Sequence, residues 1–281
     1  MGLRINTNVS SLNAQRNLRQ TGINQQKTFE QLSSGSRINR AGDDAAGLAI
    51  SEHLRAQIKG LGQAERNAQD GISMVQIAEG ALSEVSNILI RLRELSVQAA
   101  SDTIGQTERK FLNVEFEQLL SEMDRIANST EFNSVKLLNG TGAVLDIQIG
   151  TRNDPLSDRL TFDASAADAN VAALGLNLAS VADKISAQNS LSAIDQAIQT
   201  VSGIRADFGA LQNRLQSTIN NISVGVENLS AANSRVRDAD VAATTAELTR
   251  NNILMQAGTS VLAQANQSST NALSLIAAAS Q

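Results

Sequence analysis

The chain has 281 residues, 23 Lys and Arg against 28 Asp and Glu, a formal net charge of −5, one histidine, one proline, no cysteine, no Trp and no Tyr. Without cysteine there is no disulfide, thiol nucleophile or thiolate metal site, and the lone His53 rules out any centre that needs two imidazoles. The acidic balance offers no broad basic face for nucleic acid, no stretch approaches the roughly 18 continuous apolar residues of a membrane span, and the N-terminus lacks the apolar core of a secretory signal.

A single proline suits long helices, in whose interior proline costs about 3 kcal/mol. The expected fold is mainly α: an elongated antiparallel helical bundle or coiled-coil rod with a small β-hairpin region in the middle of the chain. In the first tract Ile5, Val9 and Leu12 step by four and three, and Leu18, Phe29 and Leu32 follow less regularly. SSGSRINRAGDD, residues 33–44, reads as a loop in which Asp43 or Asp44 caps the next helix. From about residue 45 to 100, Leu54, Leu61, Ala68, Val75, Leu82 and Leu89 recur every seven residues, which presents one face to a partner helix.

A break at residues 101–105 precedes a third helix with Leu112, Phe116, Leu119, Met123 and Ile126 on one face; the short connection predicts an antiparallel pair. Residues 130–182 change character, with turn signals at Asn139-Gly140 and Asn153-Asp154-Pro155 and short strands at 144–149 and 159–162. The fourth tract carries Ile194, Val201, Phe208, Leu215, Ile222, Leu229 and Val236 at an unbroken spacing of seven. The register slips at Arg237-Asp238-Ala239-Asp240, and a new row runs through Val241, Leu248, Met255, Leu262, Ser269 and Ile276.

Catalysis finds no footing in these patterns. His53 follows Glu52, but no second histidine completes a zinc-protease motif, and SSGSR lacks the spacing of a phosphate loop. No catalytic, cofactor-binding or metal-binding residue is assigned, and neither a cofactor nor membrane insertion is expected. What the pattern does carry is two amphipathic chain ends, rich in small residues, that pair only weakly alone. Isolated helices of this quality are marginal in water, so the ends are expected to be disordered in the monomer and to fold on association. Ile5, Val9, Leu12, Leu248, Met255, Leu262 and Ile276 are the candidates for packing between the terminal helices or between subunits. Two charged clusters, Arg37, Arg40, Asp43 and Asp44 at one joint and Arg235, Arg237, Asp238 and Asp240 at the other, should lie close together if the ends pair. Head-to-tail contacts of such units give rings or open helical filaments.

These residues resemble a bacterial flagellin, of short form. The likeness covers LRINTNVSSLNAQRNL (3–18), LSSGSRINRAGDDAAGLAIS (32–51), RNAQDGISMVQIAEGAL (66–82), RLRELSVQAA (91–100) and EFNSVKLLNG (131–140). It resumes with GALQNRLQSTINNI (209–222), ENLSAANSRVRDADVA (227–242) and NNILMQAGTSVLAQAN (251–266). The resemblance implies an inner-tube domain of paired terminal helices, residues 1–43 and 237–281. It also implies an outer-shell domain, residues 44–236, with no large variable insert. It implies a structural subunit, not an enzyme, that polymerises with itself into the extracellular flagellar filament for swimming, whether or not a membrane sheath covers it. Expected partners are the type III export apparatus, an export chaperone, and the filament cap and hook-associated junction proteins. Toll-like receptor 5 of a host is a further one, gripping Arg91, Leu95 and Glu115. The alternative within the same superfamily is a hook–filament junction protein, which would not grow long filaments alone.

Overall fold

The computed structural model describes residues 7–279, with side chains described as far as Gln267. In chain order the elements are α1 (Val9–Ser34), α2 (Ala45–Ala99), α3 (Gln106–Ser129), β1 (Glu131–Phe132), β2 (Val135–Lys136), β3 (Val144–Gln148), β4 (Arg159–Asp163), α4 (Lys184–Arg237) and α5 (Val241–Ala279). The fold is mainly α with a small β-hairpin region. Short polar side chains set the helix starts by accepting first-turn amides. Asn8 accepts from the Ser11 amide at 3.0 Å, Asp44 from Gly47 at 2.8 Å, Asp183 from Ile185 and Ser186 at 3.1 and 3.0 Å, and Asp240 from Ala242 and Ala243 at 2.9 and 3.1 Å. Gly35, at φ 68°, ends α1 in the left-handed conformation that a side chain disfavours.

The chain divides into two compact units, Met1–Ala56 with Asn228–Gln281, and Gln57–Glu227. In the second unit α2 and α4 run antiparallel: Arg93 meets Asp195 at 2.7 Å, Arg205 meets Glu79 at 3.9 Å, and a Cβ on Gly71 would lie 3.3 Å from Leu215 Cδ1. The seven-residue rows of the two helices, Ala68, Val75, Leu82 and Leu89 against Ile194, Val201, Phe208 and Leu215, are all buried in one core. Helix α3 adds Phe116 and Met123 to that core, with Leu112, Leu119 and Ile126 packed at its edge. The helix therefore folds back on α2 as its short connection predicts. Arg109 of α3 is buried, and its guanidinium donates to the Ala99 and Ser101 carbonyls, each at 2.8 Å. This cation satisfies carbonyls that α2 leaves open at its C-terminus, where positive charge is favoured.

The β region is two antiparallel hairpins. β3 pairs with β4 so that Leu145 faces Phe162 and Ile147 faces Leu160. Alternation puts Leu160 and Phe162 into the core and leaves Thr161 and Asp163 exposed. The Phe162 ring packs against Phe208 of α4 with centroids 5.2 Å apart. Gly71 permits this docking, since a Cβ there would come within 2.7 Å of Ile147 Cδ1. The β1–β2 pair is an additional hairpin beyond the strands that the sequence predicts. Its two turn residues, Asn133 and Ser134, have φ of 49° and 65°, the both-positive pattern of a type I′ turn. Serine is an uncommon occupant there, so the sequence carries only a weak signal.

Candidate functional site: the paired terminal helices

In the first unit α1 lies antiparallel along α5. Asn8 Nδ2 donates to the Ala265 carbonyl at 2.8 Å, Ser11 Oγ to Asn266 Oδ1 at 2.9 Å, and Gln25 Nε2 to Asn252 Oδ1 at 2.5 Å. Nearer the joint, Asn251 Nδ2 lies 3.5 Å from Thr28 Oγ1. The facing rows keep coiled-coil spacing. On α1 they are Ser11, Ala14, Leu18, Thr21, Gln25, Thr28 and Leu32; on α5, Thr244, Leu248, Asn251, Met255, Gly258, Leu262 and Ala265. Every one of these is buried or half-buried. Leu18 sits over Gly258, where a Cβ would be 2.8 Å from Leu18 Cδ2.

The most buried positions of this seam are polar: Ser11, Thr28, Thr244 and Asn251. Apolar spacing alone does not mark them, although the same three-and-four steps run through them once small and polar residues are admitted. Much of the apolar surface points the other way. Val9 (62% exposed), Leu12 (57%), Ile23 (55%) and Phe29 (63%) on α1, and Val241, Ile253, Leu254 and Val261 on α5, are open to solvent. Of the packing candidates, Leu248, Met255 and Leu262 lie half-buried in the seam, and Val9 and Leu12 face outward. Ile5 and the side chain of Ile276 lie outside the described residues. The first tract is irregular because its apolar residues divide between two faces: Leu18 and Leu32 turn inward, and Val9, Leu12 and Phe29 outward.

The two charged clusters meet through backbone. Ser36 and Asp238 form an antiparallel bridge, Arg37 N donates to the Arg237 carbonyl at 2.6 Å, and Ala239 N donates to the Gly35 carbonyl at 2.9 Å. Both segments lie within the first unit. Apart from Arg37 with Asp44, at 3.7 Å, their ion pairs go to helical residues outside both clusters: Asp43 to Lys27 at 2.9 Å, Arg40 to Glu30 at 3.0 Å, and Arg237 to Glu52 at 2.7 Å. The hydrogen bond from Lys27 holds the Asp43 carboxyl below the usual carboxylate range, helped by the Arg40 and Asn39 amides, and that from Arg237 does the same for Glu52. Arg235 has no ion pair among the described residues, and Asp240 serves as the α5 cap.

In the second unit Arg91 meets Glu115 of α3 at 2.8 Å. Leu95 does not share their surface: it is fully buried. It lies one turn beyond Arg91, but at this level α3 covers one flank of α2 and α4 the other, as Arg91–Glu115 and Arg93–Asp195 mark. The buried arc of α2 is wide enough there to take in Leu92, Leu95, Ser96 and Ala99. Among the described residues no three His, Cys, Asp or Glu side chains converge as a metal site, and no helix is long and apolar enough to cross a membrane. His53 is exposed on α2.

These features define a class: an α-helical protein whose two chain ends pair across a polar seam and turn apolar rows outward. Residues 5–143 match the bacterial flagellin N-terminal helical region, and residues 191–276 match the flagellin C-terminal helical region. The chain is 48% identical over 275 residues to a flagellin of Halalkalibacterium halodurans, covering 97% of this chain and 99% of that one. It is 46% identical over 304 residues to a flagellin of Bacillus subtilis, covering 98% and 100%. A flagellar filament 33 kDa core protein of Treponema phagedenis is 44% identical over 283 residues, covering 97% and 99%. Among solved structures, a Bacillus cereus flagellin aligns with a TM-score of 0.50 at 34% identity, over 60% of this chain and 94% of that one. A flagellar hook-associated protein from Vibrio parahaemolyticus aligns with a TM-score of 0.57 at 15% identity, over 70% and 100%, a likeness of fold alone. The chain belongs to the bacterial flagellin family.

Proposed function

We propose that this chain is the self-assembling subunit of an extracellular flagellar filament, the propeller of swimming, and that it acts without catalysis. The observation that carries this reading is the inverted character of the α1–α5 pair. A seam with buried Ser11, Thr28 and Asn251 gives the pair specificity, and Val9, Leu12, Ile23, Phe29, Ile253 and Val261 remain to be covered. Apolar rows exposed on both partners of a helix pair are surfaces for further chains. Copies of the same chain supply that cover when contacts are heterologous and do not close. In this reading the terminal unit lines the filament core, its helices gain full order only on assembly, and the second unit forms the shell around it.

The same apolar rows need covering before assembly, which suits an export chaperone on α5, passage through a type III export apparatus, and a cap and junction proteins at the filament ends. Recognition of the free subunit by Toll-like receptor 5 falls on the exposed Arg91 and Glu115, with Leu95 acting beneath them by fixing α2. The deciding experiment is electron microscopy of the purified full-length chain after seeding. Long filaments are expected, and removing about the first 40 residues should abolish growth while leaving the second unit folded. A full-length chain that stays monodisperse under all seeding conditions overturns the reading and favours a junction protein.

A further inference from the structure

Asn139-Gly140 is the only Asn-Gly step in the chain. In such a step the glycine nitrogen reaches the preceding side-chain amide with least hindrance, because glycine has no Cβ in the way. The fold of the second unit adds to that tendency. Asn139 Oδ1 accepts from the Thr141 amide at 3.1 Å and from Thr141 Oγ1 at 2.7 Å. The amide donor fixes which side-chain atom is the oxygen. The ring that this bond closes contains both Asn139 Cγ and Gly140 N, so the turn keeps the two together. Two donors on Oδ1 also stabilise the negative charge that develops there when Cγ is attacked. Asn139 Nδ2, the group that leaves in such an attack, has no hydrogen-bond partner among the described residues.

The attacking side is prepared as well. Gly140 has a φ of 69°, and Asn139 pairs with Asp168 in an isolated antiparallel bridge. In that bridge Ala169 N donates to the Leu138 carbonyl at 2.8 Å, while Gly140 N closes no bond of hydrogen-bond length. The Asp168 side chain lies against Gly140, where a Cβ would be 2.8 Å from Asp168 Cγ. Asp168 Oδ1 accepts from Asn170 N at 3.0 Å, and Oδ2 has no partner among the described residues. A carboxylate oxygen left open beside the residue whose amide must lose its proton is placed as a base.

We infer that Asn139 is a site at which the chain modifies itself, losing its side-chain amide. Gly140 N bonds to Asn139 Cγ as Asp168 takes the nitrogen's proton, and Thr141 holds the negative charge on Oδ1. The Cγ–Nδ2 bond then breaks, and Nδ2 leaves with that proton as ammonia. Solvent water opens the resulting succinimide ring to aspartate or isoaspartate. Either product puts a new negative charge beside Asp168. Isoaspartate also lengthens the main chain by a methylene next to the fully buried Leu137 and Leu138, and it turns the Asn139 carbonyl, which accepts from Asn170 Nδ2 at 3.0 Å, into a side-chain carboxylate. For the test, the full-length chain is held at neutral pH, either folded or unfolded in urea. Amide loss in the peptide that contains residue 139 is followed by mass spectrometry, and isoaspartate by its enzymatic methylation. Amide loss is expected to be severalfold faster in the folded chain than in the unfolded one. Asp168→Asn and Thr141→Val should each slow the folded rate severalfold and leave the unfolded rate unchanged. Thr141 is exposed, so its variant keeps the test open should Asp168→Asn fail to fold. A folded rate at or below the unfolded rate, or a folded variant that loses the amide as fast as the parent chain, overturns the inference.

Discussion

Phe208→Ala tests whether the hairpin and the long helices share one core. Phe208 is 2% exposed, sits on the seven-residue row of α4, and stacks its ring on Phe162 of β4 at 5.2 Å. Truncation removes the ring from water-free surroundings and leaves a cavity between α4 and the hairpin that a rigid bundle fills only partly. The expected cost is about 3–5 kcal/mol, of which about 0.5–1.5 is the ring–ring contact. The chain has neither Trp nor Tyr, so urea unfolding of the monomer is followed by far-ultraviolet circular dichroism. With a urea slope of about 2 kcal/mol per molar, the midpoint should fall by about 1.5–2.5 M. Phe208→Leu and Phe162→Leu, singly and together, isolate the ring term as their coupling energy. A midpoint change under about 0.5 M for Phe208→Ala, or a coupling indistinguishable from zero, would refute the reasoning. It would mean that the hairpin rests on the helices without sharing their core.

Other consequences follow from single features. Gly258→Leu puts a side chain where Leu18 sits, 2.8 Å from the new Cβ, so the α1–α5 pair should lose about 1–3 kcal/mol and the critical concentration for filament growth should rise. Ser134→Gly relieves a positive φ of 65° in the β1–β2 turn and should raise stability by up to about 1 kcal/mol, read as a higher urea midpoint; a loss would show that the serine makes a compensating contact. The Asp102, Asp163 and Asp183 carboxyls are held below their ordinary range, chiefly by hydrogen bonds from Lys184, Ser165 and Ser186 respectively. A depressed folded pKa gives stability that is present above the unfolded value, near 4, and lost as pH falls through the folded one, so thermal melts should drop below about pH 4, and Asp183→Asn should flatten that drop.

The seven-residue rows of α2 and α4, the three-and-four row of α3 and the β3–β4 strands were legible in the sequence because each turns an apolar row into the one shared core. The outcome is a core in which Val75, Leu82, Ile194 and Val201 are buried as their spacing requires. The chain ends were legible only as helices that should pair. Their spacing could not say which face the partner takes, and the intramolecular seam goes to Ser11, Thr28 and Asn251 while Val9, Leu12 and Phe29 are left outside. Leu95 depended on tertiary structure in the same way: four residues from exposed Arg91, it is buried because two helices, not one, flank α2 at that level. Periodicity records that a helix has a side to hide; how many neighbours arrive, and from which directions, is settled only when the chain is folded.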